Sequence, residues 1–495
     1  MPTDYNVSAD VESVLRAANK AAIKTILEVT DGADGADGAD GADGAGTAGI
    51  NSIKSRLSIA EEPLIMSVLG DSTSNDDIDF AARTITLPTT GLAARYPKYN
   101  IQTLKWNNNV GGGTYDRPFH RSTSNLGRRQ LVTAGTGCVY TPDAARWDLA
   151  GDQTHTLAIY WDPADQGTGL RNLVGKFAAA GNRSVRLYID AAGLLCAQWT
   201  SDGTTLKTHA GPNVSAVMPT AGIYYLEWRL DVDDGAGNWA GSWWTSADQG
   251  QTWAGVSGSF FTSSGGAGTV YNSTADLIVG AYNTAADPFL PYRGGILEYW
   301  SGSGIGGAYA FNGGWSASLH PLGSNTCKGY TGETWTTIAS PAFTGGPTIT
   351  MYNGSHPGVQ TTFPDSAVNF PKLVPQPVGL TIVNLGHNHA TDTPEVYLPK
   401  IVSLANRITT LSPYAPIAIA VQNPQLAAAP NPNEHARRCT GLRQLADQKA
   451  WATIDAYKVF TEAVDWQTNL MTDNVHPNTT GYDLWAAEAV RALVG

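Results

Sequence analysis

Two stretches of one texture, residues 62–124 and 346–495, are separated by residues 125–345, whose texture is different, and this interruption limits what the chain can fold into. In the flanking stretches apolar strand-like runs alternate with helical ones. PLIMSVLG is followed by a helical segment near residues 77–95 and by YNIQTLKW. Further on come TITMYNGS, VGLTIVNLG, a helix over 394–411, IAIAVQNP, a helix near 433–450, the strand-like TIDAYKVF and a last helix over 479–494. Strands alternating with helices predict a mostly parallel, doubly wound sheet in a three-layer α/β domain, with its site at the carboxyl ends of the strands. The intervening stretch carries short alternating runs such as HTLAIYW, RSVRLYID, IYYLEWRLDV and AGSWWTS, punctuated by Asp-Gly, Gly-Asn and Gly-Gly turns. That pattern predicts an antiparallel β-sandwich. The sandwich, residues 125–345, therefore interrupts one α/β domain made of residues 50–124 and 346–495.

Composition narrows the function classes. Lys plus Arg is 31 against 43 Asp plus Glu, a net charge of -12, which argues against a nucleic-acid surface. No apolar run approaches the ~18 residues of a membrane helix, so a soluble chain without membrane insertion is expected. The first twenty residues have neither a basic nor an apolar leader region, which predicts no Sec-type signal. The four cysteines, Cys138, Cys196, Cys327 and Cys439, lack CxxC spacing and read as small buried apolar residues.

Within residues 1–30, Val11, Val14, Leu15, Ala18, Ala22, Ile26 and Val29 step by three and four, an amphipathic helical stripe. In residues 31–49 that follow, Gly32, Gly35, Gly38, Gly41 and Gly44 keep a period of three. A strict period of three is what a collagen-like triple helix requires, because every third residue faces a crowded axis. A flexible acidic linker is the plainer reading. The helix could hold three chains in register, and a homotrimer is the expectation.

Four short motifs sit after α/β strands or before the last helix: Gly70-Asp71-Ser72, the turn ending in Pro357-Gly358, Gly386-His387-Asn388-His389, and Asp473-Asn474-Val475-His476-Pro477. Acyl transfer needs a hydroxyl nucleophile, an imidazole to take its proton, a carboxylate to fix the imidazole, and donors aimed at the developing oxyanion. The four motifs supply each of these. His320 and His356 also precede proline, but neither has an aspartate three residues earlier.

With these motifs in this order the α/β portion resembles the SGNH (GDSL-type) hydrolases, a family of esterases and lipases. The resemblance implies Ser72 as nucleophile, His476 as general base and then acid, and Asp473 as the partner that orients the imidazole. It implies an oxyanion hole from the Ser72 N–H, a glycine N–H and the Asn388 amide. Asn107 to Gly112 and Asn353 to Gly358 both fit the glycine's spacing. Gly358 is preferred because thirty residues separate it from Asn388, room for one helix and one strand, and Gly112 is held in reserve. His389 departs from the family, which more often has Asp there, so Asn388 should be held by a different neighbour.

Other chemistries are weaker. His387 and His389, with Asp392, could form a metal pair, but alternating side chains at a strand end diverge. A supporting or substrate-contacting role is preferred. Asp231, Asp233 and Asp234 could hold calcium. No cofactor and no metal are expected. The insert resembles laminin-G-like or concanavalin-A-like jelly rolls; it holds eleven of the fifteen tryptophans, most of them expected in the core, with Trp239 and Trp253 as candidate sugar platforms.

The expected function is a serine esterase acting on acyl esters of a bacterial surface glycan or lipid. A helix leading into Gly-x-y repeats and then an esterase with a sandwich insert resembles bacteriophage tail-fibre or tail-tip proteins. That resemblance implies assembly in the host cytoplasm, display on the virion, and contact with other tail proteins through the N-terminal segment. The alternatives are a non-catalytic adhesin and a bacterial extracellular carbohydrate esterase.

Overall fold

In the computed structural model, the described residues run from 53 to 495, less 56, 59–61, 108–112, 117–118, 121–129, 133–136, 166–168, 251, 285–286, 290–291, 293, 306–309, 321–323, 339–342, 345 and 376. The expected N-terminal helix, the Gly-x-y repeat and Gly112 lie outside them.

The α/β portion is built on six parallel strands: β1 (Leu64–Gly70), β2 (Asn100–Asn107), β3 (Thr348–Asn353), β4 (Leu380–Asn384), β5 (Ile417–Val421) and β6 (Ala452–Asp455). Their order is β6-β5-β4-β1-β3-β2, with Thr114–Tyr115 and Phe119–His120 added antiparallel at the β2 edge. Successive side chains point to opposite faces, and both faces are buried, which is why β1, β4 and β5 read as nearly continuous apolar runs. Met66, Val68, Ile382 and Ile454 meet α1 (Phe80–Thr86), α4 (Ala456–Thr461) and α5 (Thr479–Val494), where Phe80 stacks on Trp485 at 4.5 Å. Ile65, Leu69, Val383 and Ile419 share the other core with α2 (Pro394–Leu411) and α3 (Pro432–Lys449).

Two expectations, the helix at 77–95 and the strand TIDAYKVF, change in detail. The segment 77–95 is not one helix: α1 ends at Thr86, and a short turn, Leu92–Arg95, follows. Pro88 lacks an N–H and biases Leu87 out of the helical region, so the helix stops there. TIDAYKVF is likewise split, because the Asp455 carboxylate accepts the Lys458 N–H at 3.0 Å and starts α4.

The segment from Gln130 to Thr344 forms two facing antiparallel sheets. Trp199, Trp228, Trp243, Trp315 and Trp335 fill the space between them. One sheet turns its outer face to the α/β portion: its Trp300 and Phe311, with Tyr330 from a hairpin turn of the other sheet, join the same apolar cluster as Trp106, Tyr115 and Tyr352. Glu298 is fully buried there and accepts from Gln102 Nε2 and Tyr330 Oη, both at 3.0 Å. The insert is thus seated on the sheet by a packed, hydrogen-bonded contact.

Trp239 is corrected as a sugar platform, since it is buried and packs edge-on against Trp199. Trp253 is half-buried against two apolar clusters. The Asp231, Asp233 and Asp234 carboxylates accept backbone N–H groups of their own turn, and among the described residues no group of three or more metal-ligating side chains is found. All four cysteines are free and buried. Among the described residues no helix is long and apolar enough to cross a membrane.

Candidate active site

Strand order reverses at β1: the chain returns as β3 on one side of it and leaves as β4 on the other. Such a reversal opens a crevice at the carboxyl ends of the strands. The apolar run of β1 ends there at Gly70, where a Cβ would collide with the Ser74 and Ser355 hydroxyls. Asp71 is buried and holds the turn. Its Oδ1 accepts from Thr73 N and Oγ1 at 3.1 and 2.8 Å, and its Oδ2 accepts from Gln422 Nε2 at 2.9 Å. Ser72 is left half-buried at the apex, with its Oγ 2.8 Å from His476 Nε2.

His476 arrives on a loop wound around Asp473. Asp473 Oδ1 accepts the N–H groups of Val475 and His476, both at 2.7 Å, and Oδ2 lies 2.9 Å from His476 Nδ1. The Thr472 N–H closes the loop on the His476 carbonyl at 2.8 Å. A hydrogen on Nδ1 directed at the carboxylate leaves Nε2 as the acceptor facing Ser72. Partial burial pushes the Asp473 carboxyl up, but the two N–H bonds and the imidazole outweigh it and hold it below the usual carboxylate range.

The glycine and asparagine donors sit on adjoining loops. Residues 354–358 leave β3, the strand paired to β1, whereas β2, which leads towards Gly112, is one strand further out. The His356 N–H donates to the Gly70 carbonyl at 3.1 Å, which fixes this loop beside the serine turn. Gly358 has φ +73°, the left-handed region that favours glycine, and a Cβ there would meet no atom within 4 Å. Among the described residues the Ser72 and Gly358 N–H groups have no intramolecular acceptor. Asn388 Nδ2 donates one hydrogen to the Val359 carbonyl at 3.0 Å, and Gln360 Nε2 donates to the Asn388 carbonyl at 2.7 Å.

The different neighbours that hold Asn388 are thus Val359 and Gln360, and adjoining His389 acts on the loops around them. Its Nε2 accepts the Thr361 N–H at 3.1 Å, which ties the Asn388 loop to the Gly358 loop, and its Nδ1 donates to Asp392 of its own loop at 2.7 Å, which fixes the ring. Burial lowers its pKa despite Asp392. His387 likewise has both ring nitrogens engaged: Nε2 donates to Asn423 Oδ1 and Nδ1 accepts from Gln425 Nε2, each at 3.1 Å. Burial lowers its pKa too, and it stacks on buried His435 at 4.4 Å.

Sequence reasoning did not single out Gln422 and Asn423. Gln422 joins Asp71 to the His387 N–H, and Asn423 Nδ2 donates to the Val475 carbonyl at 2.9 Å. The available signal was their position, since polar residues directly after an apolar strand of a parallel sheet stand at the edge where sites form.

No family model matches the chain, and no curated protein matches it. Solved structures similar to it are SGNH/GDSL hydrolases. A peptidoglycan O-acetylesterase is 14% identical, with 92% of this chain and 97% of that chain covered and a TM-score of 0.38. A lipase/acylhydrolase from Enterococcus faecalis is 14% identical over 29% of this chain and 75% of its own, with a TM-score of 0.25. Est24, a carbohydrate acetylesterase from Sinorhizobium meliloti, is 13% identical over 29% of this chain and 77% of its own, at 0.25.

Proposed function

We propose that this protein is a serine ester hydrolase that removes acyl groups from a glycan or lipid of a bacterial surface. The observation that carries the reading is the Ser72 Oγ to His476 Nε2 distance of 2.8 Å, continued by 2.9 Å from His476 Nδ1 to Asp473. Ser72 Oγ attacks the ester carbonyl carbon while His476 Nε2 takes its proton, and Asp473 stabilises the imidazolium. The oxyanion forms against the N–H groups of Ser72 and Gly358 and the second Asn388 amide hydrogen. Collapse breaks the bond to the alcohol, which leaves with the proton from His476. Water then attacks the acyl-serine with His476 again as base, releasing the acid. Apart from the ester and the water, each step uses groups this chain contributes.

The choice of a glycan or lipid ester, the virion setting, the trimer and docking to other tail proteins rest on the sequence resemblance. Sedimentation of the full chain against one beginning at residue 55 tests the trimer, and monomers in both would refute it. The chemistry is tested by Ser72→Ala, which is expected to lower turnover of a small chromogenic acetyl ester at least ~10³-fold with an unchanged melting temperature. Retained turnover would end the assignment.

A further inference from the structure

The sandwich carries a groove of about 460 Å³ on the outer face of one sheet, within the roughly 300–1,000 Å³ usual for small-ligand sites. Its depth follows from side-chain size. Trp239, Gly241 and Trp243 of strand Asn238–Ser246 are buried towards the sandwich interior, so Ala240, Ser242 and Trp244 point outward. Ala240 is registered between Asp231 and Thr262 of the neighbouring strands, and Ser242 lies opposite Arg229. This floor of short side chains meets a wall in which Trp244 packs edge-on against Phe260 at 5.8 Å. Phe260 is 63% exposed, an unusual fraction for so large an apolar ring.

We propose that this groove binds pyranose rings of a glycan of low charge. An exposed aromatic wall suits the apolar C–H face of a sugar ring, while Arg229 and Asp231 at the floor suit its hydroxyls. The Arg229 guanidinium is held in place, 3.7 Å over Trp244 and 2.7 Å from buried Glu227. That pairing neutralises Arg229 and leaves no net positive charge to draw an anion. Burial and the nearby Asp152 already push the Asp231 carboxyl upward, so a second anion here would be disfavoured. The floor strand Asn238–Ser246 is an interior strand, paired on both sides, so the groove offers no strand edge for an extended peptide. The inference locates a glycan contact, and it stands on the groove and not on Ser72.

The test uses the full-length Ser72→Ala protein and ligand-observed saturation-transfer NMR with tri-N-acetylchitotriose, cellotriose and mannotriose, against a hyaluronan oligosaccharide as an acidic probe. At least one neutral trisaccharide is expected to bind. Phe260→Ala and the groove-filling Ala240→Phe should each weaken it on the order of tenfold, with melting temperatures unchanged. No binding by any neutral probe, preference for the acidic one, or binding indifferent to both groove variants would overturn the proposal. Failure of the ester chemistry would show separately, as ester turnover that does not depend on Ser72 while the sugar still binds.

Discussion

The Asn423 side-chain amide donates to the main-chain carbonyl of Val475 at 2.9 Å, tying the end of β5 to the residue that precedes His476. The same side chain accepts from buried His387, which follows β4, so the imidazole loop is braced from the ends of two neighbouring strands. Asn423→Ala removes both bonds and takes the partner from buried His387 Nε2 and from the half-buried Val475 carbonyl. Stability should fall by ~1–3 kcal/mol, and kcat by on the order of tenfold as the loop carrying His476 loosens. Because Asn423 acts through that loop, KM should change little. Chemical denaturation with steady-state kinetics checks this, and an unchanged kcat would remove Asn423 from the support of the site.

The oxyanion assignment separates two kinds of loss. Asn388→Ala deletes an amide donor, and kcat is expected to fall ~10²–10³-fold at nearly constant KM. Gly358→Ala adds a methyl that meets no atom, so any effect arises from the positive φ, at a cost of roughly 1 kcal/mol, and from the resulting shift of the N–H. A kcat loss with Gly358→Ala and none with Gly112→Ala would assign the glycine donor. The reverse result would move it to Gly112.

How much of this was legible in the sequence depended on whether the information was local. The inner strands β1, β4 and β5 are largely apolar on both faces, so they stand out without any tertiary knowledge. Asp473 and His476 are three residues apart and bond to each other, which makes that pair readable as a motif. The braces were not readable, because Gln422 reaches Asp71 across 351 positions and Asn423 reaches Val475 across 52. His389 carried a visible departure from the family pattern. Its partner Thr361, 28 residues earlier, came into reach only when β3 and β4 were placed on either side of β1. Trp239 failed as a surface platform because its strand alternation turns it inward, and the pleat direction is set by sheet pairing, not by nearness to a turn.

Asp79 precedes α1 and is buried beside Tyr482. Burial first, and then the Asp76 charge, push its carboxyl up to about 6 against the bonds from the Asp76 N–H and Tyr482. An acid whose folded pKa is raised favours the native state where it is protonated, so its contribution is lost as pH climbs from about 4 through about 6. Asp79→Asn keeps the acceptor for the Asp76 N–H and removes the charge. The variant should match the parent at pH 4 and exceed it by ~1–3 kcal/mol at pH 8. Urea unfolding at the two pH values checks this, and a gain at pH 4 equal to that at pH 8 would contradict it.

The sandwich core holds two histidines whose pKa values move the other way. His155 lies between Tyr299 Oη and Gln153 Oε1, and His209 Nδ1 accepts the Trp228 indole N–H at 3.1 Å. Burial lowers both to about 4. The unfolded chain takes up these protons near pH ~6.5 while the native state refuses them until about 4, so stability falls as pH drops across that window. By pH ~5 the loss is on the order of 2 kcal/mol for each group. Buried His387, His389 and His435 add to it in the same direction, and Asp79 opposes it. Melting followed by tryptophan fluorescence should therefore shift to lower temperature between pH 7 and 5, with a shallower slope in His209→Asn, whose Oδ1 can still accept from Trp228. A melting temperature that stays level down to pH 4.5 would mean that these imidazoles are protonated in the native sandwich.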